Sequence, residues 1–293
     1  MKLLSFASAG QESWGAVRGD YVVDLGRAMP QHQTLADFLG SPDFARRDAL
    51  LARIVDGPAL TDVAFLPVIP RPEKIVCVLR NYDEQPRDRD PSAATREPTG
   101  FPPIFLRVWR SMVGHGAPII RPTVSDQLDW EGELAVVIGK GGRHIAEEAA
   151  FGHVAGYSII NDVSVRDWQR HAQQIAAGKN FVGTGPFGPW LVTPDEIGNP
   201  AQLQIQTRVN GAVEQAAETS LLIHSIPRLI NYCSTIFDLA PGDVIATGTP
   251  AGVGFTRKPP VFLQPGDVVE VEIEKIGVLR NSVVEEGSAA IRT

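Results

Sequence analysis

Asp129-Trp130-Glu131-Gly132-Glu133-Leu134-Ala135-Val136-Val137-Ile138-Gly139 sets two carboxylates two residues apart at the mouth of an apolar run. A run rich in β-branched residues and closed by glycine predicts a buried strand. Side chains at i and i+2 share a strand face, so Glu131 and Glu133 are expected side by side. Ala135 and Val137 continue that face, and Leu134, Val136 and Ile138 form the other, so both faces are apolar. Two unpaired carboxylates in such a setting repel each other and lose hydration. Something positive must sit near them: either a divalent cation in an active site, or a buried salt bridge with Arg107 or Arg110.

Working outward, Val269, Val271 and Ile273 alternate with Glu270, Glu272 and Glu274, which predicts a half-solvated antiparallel strand. There the glutamates belong in water. The 293 residues include 28 Gly and 23 Pro and are 43% hydrophobic, a composition that favours many short strands and turns. The expected class is strand-rich α+β. Residues 1–70 read as a small N-terminal α+β domain and residues 71–293 as the main domain, with Pro67, Pro70 and Pro72 as the linker. A net charge of −7 gives no footing for nucleic acid or a membrane surface. Cys77 and Cys233 form no disulfide framework or zinc spacing, and no apolar run approaches the roughly 20 residues of a span, so a cytoplasmic setting is expected.

Strands are expected at Lys2–Phe6, Trp14–Arg18, Tyr21–Leu25, Lys74–Leu79, Ile104–Trp109, Glu131–Ile138, Val154–Ile160, Trp190–Thr193 and Leu203–Val209. Asn210-Gly211 is a hairpin signal. Helical segments are expected at Leu35–Leu39, Phe44–Val55, Val163–Ala177 and Ser225–Phe237, with Ser164 and Asp167 spaced as a capping box. The charged, proline-bearing stretch from Asp83 to Gly100 has no apolar period and reads as a lid over a site.

Asp162 closes the apolar run from Val154 and reads alone as a helix cap; joined to Glu131 and Glu133 it makes a three-carboxylate set. Oxygen-only ligation suits Mg²⁺, Mn²⁺ or Ca²⁺ rather than zinc. Arg166 and Gln169 share a helical face, and Lys179 follows closely. Such residues are common on surface helices, yet here they lie near Asp162, where an anionic substrate would meet them. The loop Thr247–Gly254 is glycine-rich without being a Walker sequence; it is either a plain turn or a carboxylate-binding loop through Gly248 and Thr249. The six histidines form no ligand spacing, and no Gly-x-Ser-x-Gly elbow is present.

Glu-x-Glu-Leu-Ala-Val-Val-Ile-Gly from Glu131, Asn-Asp-Val-x-x-Arg-Asp-x-Gln from Asn161, Gly-Pro-Trp from Gly188 and Thr-Gly-Thr-Pro-x-Gly-Val-Gly from Thr247 together resemble the fumarylacetoacetate hydrolase family. The resemblance covers roughly residues 71–285. It implies a mixed β-sandwich or β-roll core, usually dimeric, acting on 2-oxo and 2,4-dioxo acids. Glu131, Glu133 and Asp162 match the family's Mg²⁺/Mn²⁺ ligands. Lys179 matches a residue that stabilises the enolate. Arg166, Gln169, Thr249, Tyr82 and Gly248 match substrate-holding positions. The expected activity is hydrolysis of a C–C bond in an acylpyruvate-type acid, as in aromatic catabolism. Hydrolase members carry a histidine on the lid after Asn-Tyr, but Gln85 stands there, leaving Glu84 as the candidate base. Leu79-Arg80 replace the usual glycine before Asn-Tyr, and Arg107 stands where lysine is frequent. The missing histidine keeps open a decarboxylase or tautomerase of a 2-oxo dicarboxylate, or a silent oxo-acid binder.

Overall fold

A computed structural model describes residues 1–54, 57–83 and 100–288. Gly132–Ile138 is an inner strand of an 11-stranded mixed sheet. Along the main path the order is Tyr21–Asp24, Gln11–Arg18, Lys2–Ser8, Gly185–Val192, Val154–Asn161, Gly132–Ile138, Val244–Ala246, Ile75–Val78 and Ile104–Arg107. A second, five-stranded sheet runs Ala212–Glu218, Gln204–Val209, Val268–Ile273, Gly277–Glu285 and Ile119–Arg121. The strand-rich class is thus observed.

The alternation read in the opening stretch sorts its side chains into two cores. Leu134, Val136 and Ile138 join Val76, Tyr157 and Leu229 between the large sheet, the helix Ile226–Ile236 and the second sheet. Ala135 and Val137 join Leu3, Trp14, Phe38 and Leu191 on the opposite side. Each large aliphatic so buried contributes about 1.5–3 kcal/mol relative to exposure. The first strand pairs Leu3 with Leu191, so the N-terminal strands extend the same sheet that carries Glu133. The helix begins as expected: Ser225 accepts the Arg228 N–H at 3.3 Å, and Pro227 sits in its first turn, where no N–H is missed. Val269, Val271 and Ile273 are buried, while Glu270 and Glu272 reach Arg208 at 3.4 and 2.8 Å on the wetter face.

Several expectations are corrected. Val163–Ala177 is not one helix but a single turn, Arg166–Gln169, and a 3₁₀ turn, Ile175–Lys179. The capping box is absent, because Ser164 Oγ donates to the Asp162 carbonyl at 3.1 Å and Asp167 accepts from Ser125 at 2.6 Å. Tertiary partners outcompete the local cap. Phe44–Val55 divides into 3₁₀ Pro42–Arg46 and helix Arg47–Leu51. The strand expected at Trp190–Thr193 spans Gly185–Val192; Gly185, Gly188, Pro186 and Pro189 hid its first half. The lid expected from Asp83 to Gly100 falls, except for its two end residues, on 84–99, which with Glu84 and Gln85 lie outside the described residues.

At the sheet's margin, beside the edge strand Ile104–Arg107, one side chain closes the open backbone. Val108 N–H donates to Asn180 Oδ1 at 2.7 Å, and Asn180 Nδ2 donates to the Leu106 carbonyl at 3.4 Å. No helix among the described residues is long and apolar enough to cross a membrane.

Candidate active site

The antiparallel register assembles the carboxylates. Gly132 pairs with Asn161 and Glu133 with Ile160, so Asp162, one residue on, comes opposite Glu131. Two bonds lock this corner: Glu131 N–H donates to Asn161 Oδ1 at 2.9 Å, and Asp162 N–H donates to the Glu131 carbonyl at 2.8 Å. Glu131, Glu133 and Asp162 are all buried and offer oxygens within 4.8 Å of one another. Gly132 between the two glutamates is a steric necessity, since a Cβ there would lie 2.3 Å from Thr207 Oγ1 and 2.9 Å from Val271 Cγ1.

Three cations converge on the set. Lys179, fully buried, donates to Glu131 Oε2 and Asp162 Oδ2, each at 2.6 Å, and to the Asp162 carbonyl at 3.2 Å. Arg107 Nη1 meets Asp162 Oδ1 at 2.5 Å, and its Nη2 donates to Thr184 at 2.9 Å. The salt bridge entertained for Arg107 therefore exists, but with Asp162 rather than the glutamate pair. Arg166 Nη1 meets Glu131 Oε1 at 2.6 Å and its Nε meets Asp129 Oδ2 at 2.8 Å. Asp129 was quoted above without a role. It is fully buried and also accepts the N–H groups of Trp130, Gly254 and Phe255 at 2.7–3.0 Å. Its place two residues before Glu131, hence on the same side of an extended chain, was the available signal.

Glu133 is the exception. Its donor is the Gly248 N–H at 2.8 Å, and it has no ion pair among the described residues. Burial, followed by repulsion from Asp162 and Glu131, pushes its pKa well above the ordinary carboxylate range. Burial acts the same way on Asp162, but Lys179 and Arg107 outweigh it and hold that carboxyl low. For Lys179, burial favours the neutral amine, yet Asp162 and Glu131 prevail and raise its pKa. Lys179 is an ammonium at neutral pH.

The other sequence candidates gather here. Gln169 Oε1 accepts from Arg166 at 3.1 Å. Thr249 Oγ1 donates to the Gly132 carbonyl at 2.9 Å, so its proton and the Gly248 N–H both face the glutamate strand. Tyr82 Oη and Arg166 Nη2 are buried without partners among the described residues. Orphaned donors of this kind need an explanation.

This donor set fits a hard dication. It is all oxygen, buried and convergent, and one member, Glu133, has no ion pair of its own among the described residues. A family model, the fumarylacetoacetate (FAA) hydrolase C-terminal region, matches residues 74–284. The chain belongs to the fumarylacetoacetate hydrolase family. The human mitochondrial oxaloacetate tautomerase FAHD2A is 42% identical over 256 residues, 86% of this chain and 80% of that one. The oxaloacetate tautomerase YisK of Bacillus subtilis is 41% identical over 77% of this chain and 74% of its own. Among solved structures, a maleylpyruvate hydrolase from Sphingobium sp. SYK-6 holding manganese(II) and pyruvate superposes with a TM-score of 0.78 at 29% identity, covering 97% of this chain and 99% of that one. These relatives correct the expected C–C hydrolysis: the curated proteins similar at 41–42% identity are oxaloacetate tautomerases, in line with the tautomerase alternative.

Proposed function

We infer that this protein is a divalent-metal-dependent tautomerase that interconverts the enol and keto forms of a small 2-oxo dicarboxylate of the oxaloacetate class. The observation that carries this reading is the Lys179 ammonium, buried against Glu131 and Asp162 at 2.6 Å, in a chain whose relatives at 41–42% identity are oxaloacetate tautomerases.

Enol-to-keto conversion moves one proton from the 2-hydroxyl to C3. It breaks no C–C bond and consumes no water, so it needs no water-activating histidine, in keeping with a sequence that has Gln85 where hydrolase members carry that histidine. Held by Glu131, Glu133 and Asp162, Mg²⁺ or Mn²⁺ would supply Lewis-acid stabilisation of the enolate oxygen. Lys179, which donates to Glu131 and Asp162 at 2.6 Å, is the group placed to act as the acid. The relay balances on one group: the Lys179 ammonium gives its proton to C3 as the enol O–H bond breaks, takes up the hydroxyl proton, and ends as the ammonium it began as. Arg166 Nη2 and Tyr82 Oη, buried and without partners among the described residues, are offered to a substrate carboxylate, with Gln169 fixing the guanidinium.

The test uses freshly dissolved enol oxaloacetic acid, with the fall of its ultraviolet absorbance followed with and without Mn²⁺. Faster ketonisation that needs the metal and is lost in Glu133→Gln supports the reading. No acceleration above buffer, or full rate in Glu133→Gln, sinks it. Parallel measurement of CO₂ separates tautomerisation from decarboxylation.

A further inference from the structure

Gln215 lies on Ala212–Glu218, a strand of the second sheet, and carries no chemistry of its own, yet its buried carboxamide reaches into the candidate metal site. Its Oε1 accepts the Gly132 N–H at 3.0 Å. Its Nε2 donates to Thr249 Oγ1 at 2.8 Å and to the Pro250 carbonyl at 2.7 Å. Thr249 Oγ1 in turn donates to the Gly132 carbonyl at 2.9 Å. The chain of bonds therefore closes on itself: Gly132 N–H to Gln215, Gln215 to Thr249, Thr249 back to the Gly132 carbonyl. The amide has one possible orientation, because Gly132 N–H only donates and the Pro250 carbonyl only accepts.

We propose that Gln215 is a positioning residue that sets the separation and aim of the Glu131 and Glu133 carboxylates. Gly132 is the residue between them, and both its backbone groups are held by this ring. The same ring consumes the Thr249 hydroxyl proton and places Gly248 next to it, whose N–H holds Glu133 at 2.8 Å. Register with Asn161 and the two bonds at Glu131 hold this strand end from one side, and the N–H and C=O of Gly132 itself are held by Gln215 and Thr249. The hydrogen-bonded ring supplies that restraint from the other sheet, in the way outer-shell partners orient metal ligands elsewhere.

The inference rests on the metal reading given above, and one titration distinguishes the two. Mn²⁺ is added to the full chain, and free Mn²⁺ is followed by electron paramagnetic resonance for the unsubstituted protein, Gln215→Met, Gln215→Glu, Thr249→Val and the Gln215→Met/Thr249→Val pair. Expected is tight binding by the unsubstituted chain and a loss of roughly tenfold or more in Gln215→Met. A smaller loss is expected in Gln215→Glu, which keeps an acceptor for Gly132 and forfeits the two donated bonds. The double variant should be no weaker than the weaker single variant, because both cut one ring. If Gln215→Met fails to fold, the outcome for Gln215→Glu decides. Lowered thermal midpoints with unchanged Mn²⁺ affinity would show a purely structural role and overturn the proposal. No Mn²⁺ binding by the unsubstituted chain would remove the metal reading and this one with it.

Discussion

Gly132→Ala is the sharpest perturbation of the site, because the added atom has a known destination. Its Cβ would stand 2.3 Å from Thr207 Oγ1 and 2.9 Å from Val271 Cγ1, on strands of the other sheet. Neither neighbour is the tip of a flexible side chain; both branch at Cβ and are buried in regular strands. The sheets must separate, or the glutamate strand must bow, before that contact is relieved. Overpacking of this kind costs about 1–3 kcal/mol. At roughly 2–4 °C per kcal/mol for a chain somewhat smaller than this one, the metal-free midpoint should fall by about 2–12 °C. Circular dichroism melting measures that fall, and Mn²⁺ titration of the same sample should show weaker binding as Glu131 and Glu133 are displaced. Thr207→Ala removes the nearest clashing atom, a hydroxyl that has no partner among the described residues. In the Gly132→Ala background it should recover part of the loss, with a coupling of about 0.5–3 kcal/mol. A Gly132→Ala protein melting within about 1 °C of the parent, or penalties that simply add, would refute the steric reasoning.

Lys179→Met leaves Glu131 and Asp162 each short of a partner at 2.6 Å; the metal-free chain should lose about 3–5 kcal/mol by chemical denaturation, and saturating Mn²⁺ should restore more stability to it than to the parent. Equal Mn²⁺ stabilisation in both proteins would contradict this. His115 is held below its ordinary pKa by burial and then by the Arg280 charge, and its Nδ1 accepts the Arg280 N–H at 3.2 Å. The folded state thus binds fewer protons there than the unfolded chain, so this contribution is intact above the unfolded pKa of 6.5 and drains away as pH falls through it. In His115→Gln the decline of stability from about pH 7 to pH 5 should be shallower, and an unchanged slope in denaturant titrations would count against it.

The opening stretch was legible because its two signals agree. Alternation sent Leu134 and Ala135 to different cores, and the i, i+2 spacing put both glutamates into one buried cluster. Asp162 joined them through register, which a sequence does not print, yet the strand ending at Asn161 was visible and the pairing followed. The 163–177 region misled for a physical reason. Its residues favour helix locally, but Ser125 claims Asp167, and the Lys179 turn presses so close that a Cβ on Gly178 would lie 2.6 Å from the Gln169 nitrogen. Gln215 was invisible. Nothing in Val213-Glu214-Gln215-Ala216 distinguishes a glutamine aimed at another sheet from one facing water.

The Asn180 carboxamide gives an open sheet margin the cover that proteins often obtain from lysine or proline. Asn180 follows Lys179 directly, so the ammonium and the shield ride on one turn. A substitution that unseats this turn does more than pull Lys179 away from Glu131 and Asp162. It bares two backbone groups on a strand whose Leu106 is already exposed, a ready template for a neighbouring molecule. The turn that seats Lys179 against Glu131 and Asp162 thus also shields the margin of the large sheet.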